Sequence, residues 1–145
     1  MSGEQSFAII SSNSKLVSST LTLSNATYPV LSYYYYLVST TNYGGSLTLE
    51  ISYDGGNTWT TAKKYSGISS PKGWNWERDY IHLNSYKTNN EDYNNIKLRF
   101  SAFGNPISGV FYVLLDDIQI CDTDEPGAIS STETNTTIKL SPNPT

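Results

Sequence analysis

The stretch from Ser46 to Trp59, SLTLEISYDGGNTW, decides the fold of this chain. Its first half alternates polar and apolar side chains, with Leu47, Leu49 and Ile51 on one parity. This alternation is typical of a half-buried β-strand, because successive side chains of a strand point to opposite faces. The segment Asp54 to Asn57, DGGN, follows and contains residues that tolerate positive φ. The stretch therefore predicts a β-hairpin.

The rest of the chain repeats short strands and polar turns, and no stretch shows the i, i+3, i+4, i+7 apolar spacing of a helix. At 145 residues, one domain is the default. The pattern predicts an all-β fold with almost no helix, an antiparallel β-sandwich of two sheets with Greek-key connections rather than a simple meander. Besides the hairpin's first strand, we predict strands at Ser6 to Ile10, Leu16 to Leu23, Val30 to Val38, Thr58 to Tyr65, Trp76 to Leu83, Ile96 to Ala102 and Gly109 to Ile120.

Composition excludes several classes of function. The net charge is −4 and no basic patch is visible, which argues against a nucleic-acid binder that must neutralise phosphates. The sequence has no run of 18 apolar residues, so we predict no membrane insertion. Cys121 is the single cysteine, which excludes an internal disulfide framework and cysteine-based zinc sites.

Four segments carry a more specific pattern: Leu47 to Trp59 (LTLEISYDGGNTW), Trp76 to Tyr86 (WERDYIHLNSY), Ile96 to Phe100 (IKLRF) and Tyr112 to Ile120 (YVLLDDIQI). In this order they resemble the strands of MAM-like jelly-roll domains, including the cleaved-adhesin modules of secreted bacterial proteins. The resemblance covers about residues 16 to 121. It implies an accessory binding module of a larger protein that is secreted or attached to the cell surface, hence an extracellular location.

The end of the chain carries a second resemblance. Residues Ile138 to Thr145, IKLSPNPT, are similar to the opening of the C-terminal sorting domain of type IX secretion. This implies a Bacteroidetes-type parent protein exported across the outer membrane. We therefore expect a jelly-roll domain at 1–121, a polar linker at 122–137 and the truncated start of a sorting segment at 138–145, in which Ile138 to Leu140 could add an edge strand.

The tyrosine run on the strand from Val30 to Val38 predicts two different faces. Tyr33 and Tyr35 share parity with the apolar Leu31 and Leu37 and are expected in the core, which leaves Tyr34 and Tyr36 on the opposite face. Aromatic faces flanked by Asn, Asp and Arg can stack on sugar rings and hydrogen-bond their hydroxyls. An aromatic patch can equally be a protein-contact surface.

Other candidate ligand-binding residues lie outside that run. Trp74 follows Gly73 in a loop, where it either packs under the loop or stacks on a ligand, and Arg99 points outward from its alternating strand. Trp59 and Trp76 are interpreted as core residues.

Asp116 lies beside Asp117 on a strand of otherwise apolar residues. A buried carboxylate must be paired, hydrogen-bonded or metal-bound. In the family that the chain resembles, the first Asp of this pair often supports a structural calcium site, whose ligands are oxygens. The alternatives for Asp116 are capping of loop amides or pairing with a basic side chain.

Catalysis finds little support in the sequence, and we predict that the chain is not an enzyme. His82 is interpreted as a surface strand residue, and no turn signature of a nucleophile triad is present. Glu77 and Asp79 share one face of a strand and are interpreted as solvated decoration rather than as a glycosidase pair. The leading hypothesis is a module that binds polysaccharide or surface glycan. The alternatives are a protein-adhesion or spacer domain that contacts neighbouring domains and, less favoured, a hydrolase that uses Glu77 and Asp79.

Overall fold

The structure is a computed structural model that describes residues 7–11, 13–23, 26–39, 45–65, 76–87, 93–104, 111–123, 135–137 and 140–142. In these ranges the chain forms ten strands and one short 3-10 helix, Leu83–Tyr86, but no α-helix. Among these residues, no helix is long and apolar enough to cross a membrane. The expectation of almost no helix is confirmed.

The strands form two antiparallel sheets. Sheet A has the order β1 (Phe7–Ser11), β8 (Phe111–Thr123), β3 (Tyr28–Ser39) and β6 (Glu77–His82), with β9 (Asn135–Thr137) also paired to β8. Sheet B has the order β10 (Leu140–Pro142), β2 (Ser14–Ser18), β7 (Lys97–Gly104), β4 (Gly45–Ser52) and β5 (Thr60–Tyr65). From β1 to β8, every connection except β4 to β5 passes from one sheet to the other. This is the winding of an eight-stranded jelly roll, and the predicted fold class is confirmed.

The core lies between the two sheets and is built by the predicted alternation. Leu47, Leu49 and Ile51 of β4 are fully buried, as the hairpin pattern predicted. From sheet A, Tyr33 packs its ring edge-on against Phe100 of β7, with the ring centroids 5.1 Å apart. Each such buried side chain contributes roughly 1.5–3 kcal/mol relative to an exposed one. Because both inner faces supply these side chains, the core holds sheet A and sheet B together.

The turn after β4 is held by the carboxylate of Asp54. This group accepts hydrogen bonds from the backbone N–H groups of Asn57, at 3.0 Å, and Thr58, at 2.8 Å, and from the hydroxyls of Thr58 and Ser52. The Thr58 bonds, followed by that of Ser52, lower the pKa of Asp54 to about 2. Gly55 completes the turn at φ 75°, a conformation that favours glycine. The predicted hairpin is confirmed.

The largest differences from the predicted strand bounds are at two strand ends. The strand expected at Leu16 to Leu23 ends at Ser18, and Leu21 makes only an isolated bridge to Ile96. Strand β8 continues past Ile120 to Thr123, where the carboxylate of Asp122 accepts hydrogen bonds from the backbone of residues 27 and 28. Pairing to β3 therefore extends β8 beyond its apolar residues.

The tail of the chain adds one short strand to each sheet. Strand β9 lies within the stretch 122–137 that is predicted as a linker, and β10 begins at Leu140, the last residue of the expected edge strand. They pair with β8 and β2 respectively. The division of the chain into a domain at 1–121, a linker and a sorting segment remains a prediction.

Candidate ligand-binding face

The outer face of sheet A carries a cluster of aromatic and basic side chains. On β3, Tyr33 and Tyr35 point inward and are buried, so Tyr34 and Tyr36 point outward, as predicted. Strand β6 pairs with β3 in a register that sets Arg78 opposite Tyr34. The outward residues of the two strands thus lie side by side. We call this cluster the aromatic face, and it consists of Tyr34, Tyr36, Trp76, Arg78 and Tyr80.

Arg78 is at the centre of the aromatic face. Its guanidinium carbon lies 5.0 Å from the ring centroid of Tyr34 and 5.0 Å from that of Tyr80, which places the cation between two rings. Arg78 also donates a hydrogen bond to the hydroxyl of Ser32, at 3.2 Å, and makes a longer contact of 3.5 Å with the hydroxyl of Tyr34. These contacts fix the position of an exposed, charged side chain.

Trp76 is the most exposed aromatic residue of the face. It is 42% exposed, and its ring meets that of Tyr36 edge-on with centroids 5.7 Å apart. The interpretation of Trp76 as a core residue is wrong. The reason is the sequence separation between Trp76 and Ile81, which points into the core. The two residues are five positions apart, and residues separated by an odd number of positions lie on opposite faces of a regular strand. Trp59, the other expected core tryptophan, is only half buried.

Asp116, the predicted metal ligand, flanks the aromatic face on β8, where it is paired with Tyr34. Its Oδ1 accepts a hydrogen bond from the backbone N–H of Asp117, at 2.8 Å. Asp117 has φ 49° and is the extra residue of a bulge in the pairing with β3. The carboxylate of Asp117 in turn accepts a hydrogen bond from the side chain of Gln119.

The carboxylates at this bulge bear on the calcium prediction for Asp116. Calcium takes six to eight oxygen ligands, whereas in the described ranges no three His, Cys, Asp or Glu side chains are placed to hold a metal. Asp116 and Asp117 are the two carboxylates at this bulge, and each already accepts a hydrogen bond. Calcium at Asp116 remains a prediction.

Arg99 lies elsewhere than the tyrosines. It is on the outer face of sheet B, where its Nε donates to the carboxylate of Glu50 at 2.7 Å. Its guanidinium also lies 4.0 Å from the ring centroid of Trp59. The structure therefore does not bring Arg99 together with Tyr34 and Tyr36, and Arg78 is the arginine beside them. Trp74, the remaining predicted ligand-binding residue, lies outside the described residues.

The inner side of the same strands holds a second cluster, made of tyrosines and carboxylates. The hydroxyl of Tyr35 donates to Glu77 at 2.6 Å, and that of Tyr65 donates to Asp79. Tyr65 also shares a 2.8 Å hydrogen bond with Tyr33. Glu77 is exposed, as the interpretation as solvated decoration expected, although it accepts a hydrogen bond from the buried Tyr35. For Asp79 that interpretation is wrong, since its side chain is only 26% exposed and accepts a hydrogen bond from Tyr65, which packs against the core.

Burial sets the protonation of these tyrosines. Loss of solvation is the main reason that the pKa of Tyr33, Tyr35 and Tyr65 is raised well above its usual value. For Tyr35 the hydrogen bond to Glu77 adds to this effect. The phenols therefore remain neutral donors at physiological pH, and the cluster closes the sandwich between β3, β5 and β6.

Comparison with known proteins finds similarity to solved structures. No family model and no curated protein matches the chain. The K2 cleaved adhesin domain of Lys-gingipain is similar at a TM-score of 0.48 and 21% sequence identity, over 75% of this chain. The chain spans 63% of the length of that structure. At these values no ligand or activity transfers from that domain to this chain.

Sequence reasoning found Tyr34 and Tyr36 but missed the residues beside them. Trp76, Arg78 and Tyr80 are two positions apart, so one strand presents all three on one face. That spacing was visible in the sequence. What was not visible is that β6 pairs with β3, which sets these residues next to the tyrosines.

Proposed function

We propose that this chain is a non-catalytic binding module of a secreted or cell-surface protein, and that the aromatic face binds carbohydrate. The observation that carries the proposal is the alignment of Tyr34 and Tyr36 with Trp76, Arg78 and Tyr80 on the outer side of two paired strands. Such a cluster offers apolar ring surface and hydrogen-bonding groups together, in an open position.

The dimensions of the face suit a chain of sugars. Tyr34 and Tyr36 are two residues apart on one strand, which separates their Cα atoms by roughly 7 Å. Aromatic rings stack on the C–H faces of sugar rings, while polar groups at the edges fix the orientation of the hydroxyls. Arg78 supplies N–H donors on one side of Tyr34, and Asp116 supplies an acceptor on the other. A polysaccharide could therefore lie along β3 without entering a cavity.

The composition of the face also favours a second candidate function, protein adhesion. Tyr, Trp and Arg are the residue types enriched at the centres of protein interfaces. In that case the aromatic face packs against a neighbouring domain of the parent protein or against a partner protein, and the chain acts as an adhesion or spacer domain.

Binding to insoluble polysaccharides tests the first proposal. We would measure pull-down of the protein on a panel of neutral and acidic polysaccharides, with Tyr34→Ala and Trp76→Ala as face variants. Each should weaken binding roughly tenfold, since each removes a stacking ring. Phe103→Ala is the matched control, because Phe103 is 66% exposed on β7 of sheet B. It should bind like the wild type.

The outcomes separate the two candidates. Loss of binding in the face variants with retention in the control supports carbohydrate binding. Absence of binding to every polysaccharide contradicts it. Protection of Tyr34 and Trp76 from chemical labelling, once the chain is joined to its neighbouring domain, would then support adhesion. Trp74→Ala in the same polysaccharide panel tests whether the loop tryptophan contributes to binding. The calcium prediction for Asp116 has a separate test, in which an unchanged melting midpoint in EDTA would contradict it.

A further inference from the structure

Arg78 points outward from edge strand β6 of sheet A and Arg99 from inner strand β7 of sheet B, and among the described residues only Arg99 has an acidic partner. The guanidinium of Arg99 is paired with Glu50 at 2.7 Å. Within the described residues, Arg78 forms no ion pair, although the chain has more acidic than basic residues. The partners of its hydrogen bonds are the neutral hydroxyls of Ser32 and Tyr34.

Two aromatic rings also orient the guanidinium of Arg78. Tyr34 and Tyr80 contact it at 5.0 Å each, so its orientation is set before anything binds. A guanidinium has five N–H donors in a fixed plane, and the bonds to Ser32 and Tyr34 engage two of its nitrogen atoms with one partner each. The remaining donors suit a carboxylate, whose two oxygens a guanidinium can bind in parallel.

Charge is distributed asymmetrically about Tyr34. In the sheet, Arg78 lies on the β6 side of Tyr34 and Asp116 lies on the β8 side. A sugar ring stacked on Tyr34 would thus meet a cation at one edge and an anion at the other. The net charge of −4 would repel an anionic sugar at this face only weakly, because physiological salt screens exposed charges that lie more than about 8 Å apart.

We propose that the aromatic face selects polysaccharides that carry carboxylate groups, namely polymers of uronic acids. This proposal rests on the proposed function and specifies its ligand class. The carboxylate of the sugar binds Arg78, the ring stacks on Tyr34, and hydroxyls on the far edge donate to Asp116. Asp116 also opposes a sugar bound in the reverse orientation, because its carboxylate would face the carboxylate of the sugar.

Polygalacturonate and its methyl ester provide the test, since the two polymers share a backbone and differ in charge. We would measure both affinities for the wild type by affinity electrophoresis or calorimetry at two salt concentrations. The wild type should bind the acid roughly tenfold more tightly than the ester, as expected for one charge-assisted pair. Added salt should reduce that preference.

Variants assign the preference to Arg78. Arg78→Gln should bind both polymers with the weaker affinity of the ester, and Arg78→Lys should retain part of the preference, because an ammonium keeps the charge but not the planar pair of donors. Lys64→Gln is the matched control, since Lys64 is an exposed cation on β5 of sheet B. It should keep the full preference. Melting midpoints verify that each variant is folded.

The results distinguish failure of this inference from failure of the proposed function. Equal binding of the acid and the ester by the wild type overturns the selectivity for carboxylates and leaves carbohydrate binding intact. Retention of the preference in Arg78→Gln also overturns it. Equal binding of a sulfated polymer would show selection of anions rather than of carboxylates and would contradict the uronic-acid assignment. Absence of binding to both polymers and to neutral polysaccharides contradicts the proposed function itself.

Discussion

The inner and outer sides of β3 and β6 use tyrosines for opposite purposes. Inside, the buried Tyr35 donates its hydroxyl to the exposed carboxylate of Glu77, so the phenol has a partner at the margin of the core. Outside, Tyr34 stacks on Arg78 and leaves ring surface and N–H donors toward solvent. Alternation along the strands therefore separates a group of side chains that holds the sandwich together from a group that can bind a ligand.

The largest expected effect distinguishes two adjacent tyrosines. Tyr33→Ala should reduce the free energy of unfolding by about 3–5 kcal/mol, because it empties a fully buried aromatic site against Phe100. Tyr34→Ala should reduce it by no more than about 1 kcal/mol, since it loses an exposed cation–π contact. Urea denaturation measures both values. Equal losses would contradict the separation of the two faces.

The next largest effect on the free energy of unfolding is expected at Asp79, which we compare with Arg78, its neighbour on β6. Asp79→Asn weakens the hydrogen bond from Tyr65 and the ion pair with Lys63, which is 3.7 Å long. We expect a loss of about 1–2 kcal/mol, because the carboxylate is only 26% exposed. Arg78→Gln should cost about 1 kcal/mol or less.

A double-mutant cycle with Tyr65→Phe supplies the control for Asp79. The two substitutions remove the same hydrogen bond from opposite ends, so their effects on unfolding should be less than additive. Strict additivity would mean that the Tyr65 to Asp79 contact does not stabilise the fold.

Alkaline pH should reduce the stability that the tyrosines on the inner side contribute to the fold. Tyr33, Tyr35 and Tyr65 have a raised pKa in the folded state, chiefly through burial, so the folded state holds these protons more tightly than the unfolded state does. Their contribution to stability is complete below about pH 10, the pKa of an unfolded tyrosine, and falls as the pH rises above it. Denaturation midpoints between pH 9 and 12 should decline, and Tyr65→Phe should make the decline shallower. A flat profile would contradict the buried cluster.

The smallest effect on stability is expected in the turn after β4, which lies outside both β3 and β6. The pKa of Asp54 is lowered from 3.8 to about 2, first by its bonds to Thr58. The folded state therefore binds this proton less readily than the unfolded state, and the stabilisation is present above about pH 4 and is lost as the pH falls toward 2. Asp54→Asn should flatten the acid side of the stability curve in that window. An unchanged acid slope would show that the turn does not depend on the carboxylate.

Local pattern predicted much of the fold but only part of the candidate site. The hairpin at Asp54 and the burial of Tyr33 and Tyr35 followed from alternation and turn chemistry, which act between neighbours in sequence. The core interpretation of Trp76 rests on its match to a family position inside an alternating strand, although its odd spacing from Ile81 indicates the other face. Arg99 was grouped with the tyrosines because the sequence does not show which sheet a strand joins.

By itself, the sequence determined that the chain is an all-β sandwich and which residues of each strand share a face, because a strand has a period of two and apolar residues must be buried. Tertiary structure alone decided that β6 lies beside β3 and that β7 lies in the opposite sheet. These pairings join residues more than 40 positions apart, and backbone hydrogen bonds form them without regard to side-chain identity. They place Arg78 beside Tyr34, where no acidic side chain of the described residues pairs with it, and Arg99 beside Glu50, which does pair with it.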